Sequence, residues 1–167
     1  MRPDSISSLD ARYNVINWVH RSTRGWSTGG SVSDPRTGEI IKGVVTLGSL
    51  RIRQDYMIAE GLLSPYETGY EEPQYLEEWA LARIRQLSAH EVGHTIGLGH
   101  NYYNSKAGRI SVMDYPHPLV ELNQDGSLEY SDVYDDKIGE WDITAVEYGY
   151  QDFPPGTDVE AELNRIL

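Results

Sequence analysis

Apolar residues recur along this chain with two different periods, and the switches between them mark its elements. Residues 14–20 are rich in β-branched and aromatic side chains and read as a strand. Residues 24–30, with Gly25, Gly29 and Gly30, read as a loop that leads through Ser31–Ser33 into the turn sequence Asp34-Pro35-Arg36-Thr37-Gly38. Residues 39–50 form the strongest strand signal, and with the preceding turn they read as a hairpin. Residues 54–63 read as a short helix and residues 64–73 as a polar loop. From about 74 to 96 the period lengthens: Leu76, Trp79, Ala80, Ile84, Leu87 and Val92 fall near a 3.6-residue repeat, and Gly97 and Gly99 end the helix. Residues 101–131 read as loops with one hairpin at Asp125-Gly126, 140–148 as a helix, and 158–167 as a final helix with no visible partner for its apolar face.

The 167 residues fit one domain with a substantial core. The charge of −12 argues against a phosphate-binding surface, and so against nucleic acid and anionic lipid. No apolar window is long enough to span a bilayer, and the first ten residues carry no signal-peptide core. Without cysteine, neither disulfides nor thiol chemistry enter.

The chemistry concentrates in residues 90–100. His90 and His94 are four residues apart, so on a helix they share one face and can hold one metal ion. Gly97 lets the chain leave the helix sharply, and His100 can then return as a third nitrogen ligand. Three protein ligands leave a fourth position open, which is the arrangement of catalytic zinc and not of structural zinc. Glu91 projects beside the metal, where a general base takes a proton from water and returns it to a leaving amine. A chance match to the full pattern has odds of roughly one in 10⁵ at average residue usage, which sets aside helix-surface histidines as the explanation.

This H-E-x-x-H-x-x-G-x-x-H pattern resembles that of the metzincin zinc proteases. Met113, 13 residues after His100, fits the family's methionine turn, which implies a hydrophobic floor under the metal. Tyr115 stands where related branches carry a tyrosine that reaches the metal or the oxyanion; packing is the other reading of that residue. Residues 140–150, with Asp142, Ala145, Val146, Tyr148 and Gly149, are similar to the C-terminal helix of matrixin-like domains. Together with segments around residues 13–16, 34–40 and 53–56, the likeness extends over most of residues 12–150 and points to the bacterial met-zincin family, whose domains sit in larger secreted proteins. It implies an α+β zincin core: a small twisted mixed sheet carrying the zinc helix in residues 12–100, then an irregular C-terminal subdomain with the methionine turn in residues 101–167. It also implies one catalytic Zn2+, hydrolysis of protein or peptide substrates, and an extracellular or periplasmic setting. Residues 39–50 would be the antiparallel edge strand lining the cleft.

Two departures stand out. No strand and long helix of the kind that opens metzincin domains is visible before Asn14, so the chain reads as a fragment lacking them. Asn101 follows the third histidine where better-known branches place other residues. A zinc-stabilised binding module without catalysis is the competing function, and the intact Glu91 argues against it. Asn123, Asp125 and Gly126 fit part of a calcium loop, but a plain Asp-Gly turn accounts for them better. Asp132, Asp135 and Asp136 read as a solvated acidic cluster. His20 and His117 read as structural or exposed, although His117 follows the methionine turn closely enough to reach the cleft.

Overall fold

The computed structural model describes residues 6–23, 25–63, 69, 75–103, 105–135 and 137–167. The loop expected at residues 64–73 thus lies almost wholly outside the described residues, as does Asp136. Three strands form one mixed sheet: β1 (Val15–Val19), β2 (Thr28–Ser33) and β3 (Ile40–Gly48), in the order β1-β3-β2. β1 runs parallel to β3 with Val15 opposite Val44, and β2 runs antiparallel to β3 with Gly29 opposite Val45. Helix α1 (Leu50–Leu63) packs on α2 (Tyr75–Thr95), and α2 in turn lies on the sheet. A short hairpin of two two-residue strands, β4 (Glu121–Leu122) and β5 (Leu128–Glu129), interrupts an otherwise irregular stretch. Helices α3 (Glu140–Tyr150) and α4 (Val159–Ile166) follow. The fold is α+β, with a small mixed sheet carrying the long helix.

Two readings of the sheet are corrected. The strand expected to be an edge, residues 39–50, is the central strand β3. Its apolar character follows from that place: Val45 and Leu47 are buried against Ile84 and Leu87 of α2, and strands flank it on both sides. The edge is β2, in a stretch whose first half was expected to be loop. Thr28, Gly29 and Gly30 carry no apolar alternation, and their strand geometry comes from pairing with β3 and from contact with α2. At Gly29 the two backbones meet so closely that a Cβ would overlap the carbonyl of Glu91. Gly29→Ala is therefore expected to cost about 1–3 kcal/mol through overpacking. Thermal unfolding checks this, and an unchanged midpoint would show that the strand and helix can part without penalty.

Helix α2 is buried on two sides. Toward the sheet it presents Ile84 and Leu87; toward α1 and the chain after it, Leu76 and Trp79 join Ala59, Val133 and Tyr134. Val92, expected on the apolar face, is 42% exposed. Helix α1 starts earlier than the expected residue 54 and buries Asp55 completely, paired with Arg51 at 2.7 Å. Lys42 is also buried, and its ammonium donates to the carbonyls of Asp10 and Tyr13. These hydrogen bonds tie the segment before β1 to the sheet. Helix α4 buries no residue and touches only α3 among the described elements with several contacts.

Candidate metal centre

The last turns of α2 carry His90 and His94 on one face, as the four-residue spacing requires. The helix ends in a Gly97 turn with φ of 91°, and Leu98 N–H donates back to the Gly93 carbonyl at 3.0 Å. A residue with a Cβ would be strained in that conformation. The reversal brings His100 back over the helix. The Nε2 atom of His94 then lies 3.2 Å from Nε2 of His90 and 3.1 Å from Nε2 of His100.

Each imidazole is fixed through its other nitrogen. Nδ1 of His90 donates to the Val112 carbonyl at 2.7 Å, and Nδ1 of His94 to the Leu98 carbonyl at 2.8 Å. Nδ1 of His100 lies 2.8 Å from the Tyr102 hydroxyl. A carbonyl can only accept, so the first two rings carry their proton on Nδ1 and turn the Nε2 lone pair inward. Burial, reinforced by the neighbouring histidines, holds His90 below its ordinary pKa, and burial acts likewise on His100. Neutral rings are what a metal requires.

Three convergent, pre-oriented imidazoles match the donor set of zinc, and their ligand atoms all lie within 4.8 Å of one another. Among the described residues, no other cluster of three or more histidine or carboxylate side chains could hold a metal ion. Glu91 is buried beside this cluster. Desolvation raises its carboxyl above the usual range; His94, a hydrogen bond from Gly29 N–H and the Arg83 guanidinium oppose that rise. Edge strand β2 thus touches Glu91 at both its backbone and its carboxylate.

Met113 is fully buried beneath the helix, with its sulfur against Gly93 where a Cβ would overlap it. Gly93 thereby admits the methionine turn. Tyr115 reaches the centre: its hydroxyl is 3.0 Å from Nε2 of His100, and its ring stacks on His90 at 5.4 Å between centroids. All six residues singled out from the sequence for the site therefore meet in one place. His117 lies further along, lining a cavity of about 360 Å³ with Gln86, Arg109, Val112 and Tyr115. His20 stands edge-on to Trp18 at the end of β1.

The Met-zincin family model matches residues 72–167, which include all three histidines, Glu91, Met113 and Tyr115. The chain belongs to the Met-zincin family. Comparison with curated proteins and with solved structures gave no match. Family and histidine cluster together define a zinc-binding, metalloprotease-like fold.

The Met-zincin centre rests on residues that the motif does not contain. Asp142, in the first turn of α3, is 2% exposed, and its carboxylate accepts from Ser111 Oγ at 2.7 Å, Val112 N at 2.8 Å and Gly139 N at 2.8 Å. Val112 passes the constraint on, because its carbonyl accepts from both His90 Nδ1 and Gln86 Nε2. The Asn101 N–H donates to the Met113 carbonyl at 3.0 Å and joins the third-ligand loop to the methionine turn. At the far end of α3 the Tyr150 hydroxyl donates to the Ile96 carbonyl at 2.7 Å, next to the turn that redirects the chain toward His100. Sequence reading had one usable signal here: a carboxylate two residues after a helix start, where such groups reach back to the cap.

Two minor readings also meet the structure. Asp125 turns its carboxylate onto Ser127 of its own turn, at 2.9 Å from N and 2.6 Å from Oγ. The acidic cluster is more than solvated charge, since Asp132 and Asp135 both face Arg109, at 3.4 and 3.5 Å.

Proposed function

We propose that this Met-zincin is a zinc-dependent endopeptidase acting on proteins or peptides. The observation that carries the reading is the pairing of a three-histidine cluster, whose outer nitrogens are all occupied, with a buried carboxylate that is not itself one of the donors. A purely structural site has no use for such a base, and normally has four protein ligands.

His90, His94 and His100 would hold the metal. When bound, zinc supplies Lewis-acid activation of water and polarisation of a carbonyl oxygen. Glu91 takes the water proton and carries it to the departing amine nitrogen, a role favoured by its raised basicity. Tyr115, with its hydroxyl at the cluster, donates a hydrogen bond to the oxyanion as it develops. Edge strand β2 lies against Glu91, so an extended peptide pairing with β2 beyond that contact passes the base. In this reading residues 12–100 supply one side of the cleft and 101–167, with the methionine turn, the other. An extracytoplasmic setting belongs to the same proposal and is supported by family likeness alone.

Metal removal tests it. Chelation is expected to abolish cleavage of a mixed peptide substrate, and one equivalent of zinc to restore it. Cleavage that persists through exhaustive chelation would refute the zinc mechanism.

A further inference from the structure

The three imidazoles are not held alike. His90 and His94 are braced by backbone carbonyls, which the fold itself fixes. His100 lies on the loop beyond the helix, is exposed, and has its Nδ1 against the hydroxyl of a side chain, Tyr102, at 2.8 Å. That side chain is anchored where it leaves the backbone. Asn101, just before it, is buried and donates its N–H to Met113. The carbonyl of Tyr102 accepts from Ser105 Oγ at 3.0 Å. The Tyr102 ring then packs against two members of the centre at once, with centroid distances of 5.4 Å to His100 and 5.8 Å to Tyr115. The hydroxyl of Tyr115 lies at the opposite nitrogen of the same imidazole, 3.0 Å from Nε2.

We infer that Tyr102 is a positioning residue of the metal centre, whose hydroxyl fixes the orientation of His100 and whose ring keeps Tyr115 over the site. The physical reason is the freedom it removes. An exposed imidazole on a loop rotates about two torsions, and binding must stop that rotation; a preset partner on Nδ1 holds the ring with Nε2 toward the other two donors and so lowers the entropic cost. The other two ligands need no such side chain, because carbonyls already do the same work.

This inference rests on the zinc reading above, so its test measures the metal directly. Tyr102→Phe keeps the ring and removes one oxygen. In chelator competition it is expected to weaken zinc binding about tenfold or more. The visible absorption bands of the cobalt-loaded variant should shift relative to wild type, since the ligand field changes when His100 loosens. The unfolding midpoint of the metal-free variant should stay within about 2 °C of wild type, because an exposed hydroxyl contributes little to stability. Zinc affinity equal to wild type with an unchanged cobalt spectrum would overturn the inference while leaving the zinc reading intact. Weaker binding accompanied by an equal loss of metal-free stability would also overturn it, as a structural and not a positioning role. A wild-type chain that holds no zinc would remove both.

Discussion

Glu91→Gln is expected to leave one zinc ion bound per chain and to reduce peptide cleavage by about 10²–10⁴-fold. Glutamine has nearly the shape of glutamate, so the packing of α2 against β2 at Gly29 is preserved. The three imidazoles are likewise untouched, because none of their Nδ1 partners is Glu91: these are the Val112 carbonyl, the Leu98 carbonyl and the Tyr102 hydroxyl. What disappears is a buried carboxylate able to accept a proton, and with it the shuttle from water to leaving amine. The prediction separates the two competing functions. A zinc-stabilised binding module would be indifferent to the change, since its zinc would remain bound and its fold intact. Metal content by elemental analysis, together with kcat/KM on a cleaved peptide, provides both readouts. Equal turnover by variant and wild type would remove Glu91 from the chemistry.

The second large effect is one of stability. Asp142→Ala removes a single acceptor group that satisfies three donors, Ser111 Oγ, Val112 N and Gly139 N. Each polar group left buried without a partner costs about 1–3 kcal/mol. The loss is expected to reach about 3–5 kcal/mol once some relaxation is allowed, and a chain of this size then unfolds roughly 6–20 °C lower. The first turn of α3 contributes to the native arrangement, since its free N–H groups favour a negative charge there. The consequence reaches the metal, because Val112 also orients His90 and Gln86. Zinc affinity should therefore fall along with the unfolding midpoint. Calorimetry and chelator competition on the same variant check both, and a midpoint within about 2 °C of wild type would contradict the account.

Legibility in the sequence followed the range of the interactions. The metal cluster was readable because its determinants are local: a helical period, a four-residue spacing and a glycine turn. Met113 and Tyr115 came from resemblance, since nothing in their spacing alone specifies a floor or a hydroxyl at the metal. The element boundaries failed where tertiary contacts decide. Leu50 reads as the end of a strand, with the helix expected only from residue 54, yet helix α1 begins at Leu50. Thr28, Gly29 and Gly30 look like loop, and only pairing with β3 and the close approach to Glu91 make them strand. The central place of β3 depends on which strands flank it, and a one-dimensional pattern does not carry that. Asp55, Arg83 and Asp142 were unreadable as buried residues, because a charge is buried only when distant partners compensate it. For Asp142 these partners lie on the methionine turn, some thirty residues earlier in the chain.

The central claim is that this three-histidine centre hydrolyses peptide bonds. The direct measurement is mass spectrometry of a diverse peptide library incubated with the zinc-loaded chain, beside Glu91→Ala treated identically. The account predicts internal cleavages that recur at defined sequence positions and vanish in the variant. Identical peptide populations from the two samples, with one zinc bound per wild-type chain, would contradict it.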